Sequence, residues 1–203
     1  MTCEKCEALC ASRARIVEPD LPEFGRPCRV LVVGEAPGAD EDAQGKGFVG
    51  RAGRTLHALL EEHGLRRGYE YGCANIVRCR PPENRRPTKT EIGNCLPNLS
   101  EVISRTRPRV VLAVGDTAAR VFMGKPGLME NIDRLHHADQ RPGPFLHGSL
   151  LHVTWPFETR LFIMPHTSPL AWNRNAPDGC RQHGRKWSEI GREQVRLMAE
   201  RIL

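Results

Sequence analysis

The apolar run Arg29-Val-Leu-Val-Val33 empties directly into Gly34-Glu-Ala-Pro-Gly-Ala-Asp-Glu-Asp-Ala-Gln-Gly-Lys-Gly-Phe-Val-Gly50. A short β-branched run of this kind reads as a buried strand. The residues after it read as a rigid loop that bears acids. Its five glycines and one proline permit tight turns and close backbone approach to a ligand. Glu35, Asp40, Glu41 and Asp42 supply carboxylates, and Phe48 supplies a flat apolar face. A phosphate cradle would carry lysine and few acids, and no GxxxxGK[ST] pattern occurs. The loop is suited to a neutral or electron-poor group.

Three further runs match the first: Gly72 to Val77, Val110 to Val114 and Leu161 to Met164. Helical patterns separate them. Leu56, Leu59, Leu60 and His63 follow i, i+3, i+4, i+7 spacing. Thr88-Lys-Thr-Glu91 is a capping box that opens a helix with the inner stripe Ile92, Cys95, Leu96, Leu99 and Ile103. Asp116 to Met123 and Trp187 to Ile202 give two more helices. Strand and helix alternate four times, which predicts an α/β fold: a three-layer α/β/α sandwich around a mostly parallel four-stranded sheet. Residues 125 to 160, with His136, His137 and His147, show little periodicity and read as a long surface excursion.

At 203 residues the chain is expected to form one domain, 1–203, with a sizeable core. Lys and Arg number 30 against 24 Asp and Glu, a net charge of +6. Basicity this mild is compatible with nucleic acid without requiring it. No apolar run reaches the length of a membrane span, and the N-terminus has no signal-peptide core, so a cytoplasmic protein is expected. Eight cysteines are many for that compartment, which turns attention to metal ligation. Cys3-x-x-Cys6 has knuckle spacing, but Cys79 and Cys95 lie too far apart in sequence for a second knuckle, so the zinc-ribbon pattern fails. A four-thiolate site is allowed, zinc and iron–sulfur remain open, and Cys95 reads equally as a buried structural thiol.

Each strand should deliver its following loop to one rim, where parallel sheets bind ligands. Glu35 and Phe48 follow the first strand. Asn75 and the basic loop Arg78 to Arg86 belong to the second, and Pro165-His-Thr-Ser-Pro-Leu170 follows the fourth. An amide reads a donor–acceptor edge, a ring stacks on a planar group, and an imidazole donates to a developing anion. Together they suit a nucleobase. Each has an ordinary reading too: a strand-end cap for Asn75, core for Phe48, a turn residue for His166, a turn cap for Glu35.

Gly34-Glu-Ala-Pro-Gly-Ala-Asp-Glu-Asp42, Gly45-Lys-Gly-Phe-Val-Gly-Arg-Ala-Gly53 and Asn75-Ile-Val-Arg-Cys-Arg-Pro-Pro-Glu-Asn-Arg-Arg-Pro-Thr88 resemble family 4 of the uracil-DNA glycosylase superfamily, the iron–sulfur enzymes of bacteria and archaea. The opening Cys3 to Val17 is similar to that family as well. The resemblance implies a DNA glycosylase that flips out uracil and hydrolyses its glycosidic bond, leaving an abasic site. It implies a [4Fe–4S] cluster on Cys3, Cys6, Cys79 and Cys95, with Cys10 outside the pattern. Phe48 would stack on the base, Asn75 read its pairing edge, and His166 contact the leaving-group oxygen. Backbone from Gly34 to Ala36 would line the same pocket, and Glu35, with Asp40 in reserve, would assist water.

Uracil-containing DNA is the expected partner of a monomer. Arg78, Arg80, Arg85, Arg86, Ser168 and Arg174 are candidate DNA contacts, and Leu170 is a candidate wedge, with loop packing as its plainer reading. The sequence departs from the family in placing Thr167 after His166, where a proline is usual, and in residues 127 to 160. Those departures keep two alternatives in play: a glycosylase for another damaged or modified base, or a non-catalytic iron–sulfur module that binds nucleic acid. The basic insertion of the family's cross-linking relatives is missing from Arg85-Arg-Pro-Thr-Lys-Thr90, so covalent capture is not expected.

Overall fold

The computed structural model describes residues 3–23, 26–124, 127–137 and 159–202. Four strands, β1 (Val30–Gly34), β2 (Tyr71–Asn75), β3 (Val110–Val114) and β4 (Arg160–Met164), form one sheet in the order β2-β1-β3-β4. Every pairing is parallel, with Val30 opposite both Tyr71 and Val110 and with Val110 opposite Arg160. Parallel neighbours require crossovers, and helices supply them. These are α1 (Glu7–Ser12), α2 (Ala39–Gln44), α3 (Arg51–Glu61), α4 (Lys89–Thr106), α5 (Asp116–Met123), α6 (Leu128–His137), α7 (Pro169–Trp172) and α8 (Trp187–Ala199).

Alternation along each strand divides the core in two. Leu31, Val33, Val111, Ala113, Leu161 and Ile163 face α4, α5 and α6. Val30, Val32, Val110, Leu112, Phe162 and Met164 face α3 and α8. These strand side chains are essentially inaccessible to solvent. Burial of each large one stabilises the fold by about 1.5–3 kcal/mol. The layers thus agree with the sequence-based expectation of an α/β/α sandwich around a mostly parallel sheet: the four strands pair in parallel, and Asp20 adds an antiparallel bridge to Cys73 at the β2 edge.

Three local expectations change. The second strand spans Tyr71–Asn75 rather than running from Gly72 to Val77. Ile76 and Val77 are fully buried but bend across the end of β1, their N–H groups donating to the carbonyls of Gly34 and Glu35. The acid-bearing loop contains the short helix α2, stopped by Gly45 in the left-handed region (φ 70°). Part of the expected surface excursion is the amphipathic α6, whose Leu128, Met129, Ile132 and Leu135 are buried. The rest of that stretch, residues 125–126 and 138–158 including His147, lies outside the described residues. The Thr88 capping box is present: its hydroxyl accepts from Glu91 N–H at 3.2 Å, and the Glu91 carboxylate accepts from Thr88 N–H at 2.7 Å. No helix among the described residues is long and apolar enough to cross a membrane.

Candidate active site

All four strands point their carboxyl ends at one rim, and a cavity of about 370 Å³ opens there. That volume falls in the range of small-molecule pockets. Gly34, Glu35, Ala36, Asp40, Phe48, Asn75 and His166 all line it. Gly34 explains how the ring and the amide come so near the backbone. A Cβ there would lie 2.6 Å from Asn75 Oδ1 and 2.8 Å from Phe48 Cζ, so only glycine leaves both side chains in place. Phe48 itself sits in the left-handed region (φ 58°), unusual for an aromatic residue.

His166 leaves β4 and lies over Gly115, whose φ of 89° turns the chain from β3 into α5. The His166 Nδ1 accepts the Ser168 N–H at 3.1 Å. The neutral ring therefore carries its proton on Nε2, free to donate. Burial pushes the His166 pKa down, while Glu35 and Glu41 oppose that shift. A neutral donor results near pH 7.

The loop acids divide by task. Glu35 accepts a short hydrogen bond from the Thr117 hydroxyl in the first turn of α5. Glu41 clamps the loop, accepting from Gly38 N–H at 3.0 Å and Gly50 N–H at 2.8 Å. Asp42 is buried and accepts from the N–H groups of Ala14 and Arg15 at 2.9 and 3.0 Å. Asp40 is exposed at the mouth. Of the four, Glu35 is thus the carboxylate held by a side chain from the helix that follows another strand. Thr117 was missing from the sequence-based site, although the same strand-end rule applied to β3 reaches it. Thr167 is buried and donates its hydroxyl to the Ala52 carbonyl at 2.7 Å, tying the β4 exit to α3.

The candidate DNA contacts do not share one environment. Arg78 spends its guanidinium on Glu18 (2.6 Å) and Asn98 (3.0 Å), and its side chain is only 17% exposed. Arg80 donates to Asn84 Oδ1 at 2.8 Å. Arg85 lines the cavity and grips Glu91 with two bonds of 2.9 and 2.7 Å. With Thr88 it holds the Glu91 carboxyl down at about 2. Arg86 is more open and pairs weakly with Asp116 at 3.4 Å. Arg174 is exposed, Ser168 precedes α7, and Leu170 on α7 is 75% exposed, an unusual position for a leucine.

The cysteines converge without forming a single-ion site. Cys79 Sγ accepts from Arg13 at 3.0 Å, and the same guanidinium reaches the Cys3 carbonyl at 2.6 Å. Cys95 Sγ accepts from Arg78 N–H at 3.4 Å, and Cys6 Sγ accepts from Asn94 at 3.4 Å. Burial pushes the Cys79 thiol up, and Arg13 opposes that shift. Among the described residues, no group of three or more His, Cys, Asp or Glu side chains could hold a metal ion as placed.

A doubly covered parallel sheet with a pocket above its strand ends, walled by a ring, an amide and an imidazole, defines an α/β protein with a ligand-sized site at the strand-end rim. The family model described as the uracil DNA glycosylase superfamily matches residues 22–189. The chain is similar to the Type-4 uracil-DNA glycosylase of Thermotoga maritima, at 47% identity over 95 residues, 47% of this chain and 49% of that protein. It is similar to that of Pyrobaculum aerophilum, at 46% over 94 residues, 46% of this chain and 47% of that protein. With that of Saccharolobus solfataricus it shares 36% identity over 178 residues, 86% of this chain and 74% of that protein. The chain spans about half the length of the first two relatives. It belongs to the uracil DNA glycosylase superfamily, and within it to family 4.

Proposed function

We propose that the protein is a monofunctional uracil-DNA glycosylase, which hydrolyses the N-glycosidic bond of uracil in DNA and leaves an abasic site. The observation that carries this reading is the single cavity shared by Glu35, Phe48, Asn75 and His166. A glycosidic bond inside a duplex is unreachable, so the base must leave the stack at a cost of a few kcal/mol. Phe48 offers the face that replaces lost stacking, and Asn75 offers paired donor and acceptor groups to the base edge. Bond cleavage leaves negative charge on the base and positive character on the sugar. The Nε2–H of neutral His166 answers the first need. The Glu35 carboxylate, held by Thr117, answers the second and orients water. Leu170, whose exposure leaves it available, would fill the gap in the stack.

A [4Fe–4S] cluster on Cys3, Cys6, Cys79 and Cys95 is part of this proposal. The donor set fits such an anionic group: four thiols from three segments, with N–H donors already directed at three of the sulfurs. When bound, the cluster would supply structure rather than chemistry, fastening the N-terminal segment to the loop after β2. Eight cysteines suit the reducing cytoplasm, the compartment of this proposal.

The alternative of another base loses one of its motives, because the Thr167 hydroxyl is committed to Ala52. Base release from oligonucleotides bearing uracil, hypoxanthine, xanthine or hydroxymethyluracil tests the reading. Uracil should be released in preference to the other bases, and Asn75→Ala and His166→Ala should each release it far more slowly than wild type; binding without an abasic product would refute the reading.

A further inference from the structure

Phe48 holds its ring over the pocket floor from a left-handed backbone conformation that aromatic residues seldom adopt unaided. Something outside the pocket must hold that turn. The Phe48 carbonyl lies 2.9 Å from His57 Nε2 and 3.4 Å from Arg67 Nη1. The other terminal nitrogen of Arg67 donates to the Gly47 carbonyl at 2.6 Å. Two consecutive carbonyls, on the residue bearing the ring and on the one before it, therefore point at one guanidinium.

That guanidinium is itself fixed. Its Nε donates to Asp20 at 2.6 Å, and Asp20 is joined to β2 by reciprocal backbone bonds with Cys73. His57 Nδ1 meets the hydroxyl of fully buried Tyr71 at 2.8 Å. Gly53 completes the seat: a Cβ there would stand 2.1 Å from the Phe48 carbonyl oxygen, so α3 is pressed against this peptide. His57 Nε2 is also 2.8 Å from Arg67 Nη1. In one neutral tautomer the ring donates to the Phe48 carbonyl. In the other it accepts from Arg67, which still reaches that carbonyl, so either leaves the oxygen with a donor.

We propose that Arg67, anchored by Asp20 and assisted by His57, is a positioning device that holds the Phe48 ring at the angle where the extruded base stacks. None of these three residues lines the cavity, so each acts through Phe48 rather than on the substrate. The inference rests on the reading of Phe48 as the stacking face and adds the residues that set its orientation. A lysine at position 67 has one ammonium on a flexible stem and cannot reproduce a planar fork engaging Asp20, Gly47 and Phe48 together.

The test is a double-mutant cycle on uracil release, combined with the crystal structure of Arg67→Met. Arg67→Met should lower kcat/KM about tenfold in the wild-type background, because a misplaced platform no longer orients the base. In the Phe48→Ala background it should change kcat/KM by less than about twofold, because the ring it positions is gone. Arg67→Lys should not restore the rate. Equal losses in both backgrounds, or no loss in either, would overturn the proposal. If the wild type releases no uracil at all, the proposed function fails and the structure alone decides this inference. A Phe48 φ that leaves the left-handed region in Arg67→Met supports the device, and a φ that stays there overturns it.

Discussion

Adding one methyl group to the pocket floor should damage the reaction far more than the fold. In Gly34→Ala the new Cβ would stand 2.6 Å from Asn75 Oδ1 and 2.8 Å from Phe48 Cζ. Ordinary contact begins at 3.4 Å, so the Asn75 amide must retreat by about 0.8 Å and the ring by somewhat less. Both obstacles are tips of side chains rather than backbone, which puts the stability cost at the low end of overpacking, about 1 kcal/mol. For a chain of this length that lowers Tm by about 2–4 °C. A displacement approaching 1 Å in a group that orients substrate costs on the order of 10²-fold in rate. The assay is alkaline cleavage of abasic sites on a fluorescent single-stranded oligonucleotide with one uracil, alongside a thermal melt. Wild-type turnover by Gly34→Ala would mean that Asn75 and Phe48 tolerate displacement and do not grip the base.

Thr117→Val keeps the shape of the side chain but removes the donor to Glu35. Loss of a hydrogen bond to a charged group, worth about 1.5–3 kcal/mol, should lower kcat at least tenfold with little change in KM, read by steady-state kinetics. Acid should weaken the fold through His57 and His166, whose pKa values burial depresses, with Arg67 adding to the effect at His57 and Glu35 and Glu41 opposing it at His166. Unfolding frees both rings to titrate at their ordinary value near 6.5, so this contribution is complete above that pH. It declines as pH falls towards the folded-state values, and urea melts at pH 7.5 and 5.5 should show a smaller difference for His166→Gln than for wild type. Leu170→Ala should leave the melting temperature within 1 °C or so, because the side chain is 75% exposed. Uracil release from duplex DNA should nevertheless fall more than release from a single strand, where no stack needs filling.

The layered fold was readable because buried parallel strands leave a short β-branched signature and the Thr88 box marks a helix start without tertiary help. The pocket was readable in part for a related reason: strand ends fix where Glu35, Asn75 and His166 emerge, whereas Phe48 returns to the rim only through the turn after α2. Thr117 was overlooked because a hydroxyl in a helix's first turn resembles any helix-start residue until its partner is known. The roles of Glu41 and Asp42 depend on which distant N–H groups they meet, at Gly50 for one and Ala14 for the other, and no local pattern encodes that. Arg78 illustrates the same limit. Its basic loop reads as a DNA contact, yet Glu18, sixty residues away in sequence, takes the charge.

If these strand ends enclose one extruded uracil, a crystal structure with an oligonucleotide carrying 2′-fluoro-2′-deoxyuridine should capture it there. The fluorine slows cleavage by disfavouring positive charge on the sugar and so retains the base. Uracil should lie inside the cavity of about 370 Å³, its face on Phe48, its pairing edge at Asn75 and one oxygen within hydrogen-bond reach of His166 Nε2. A nucleotide left in the stack, or a base seated elsewhere on the protein, would contradict this placement.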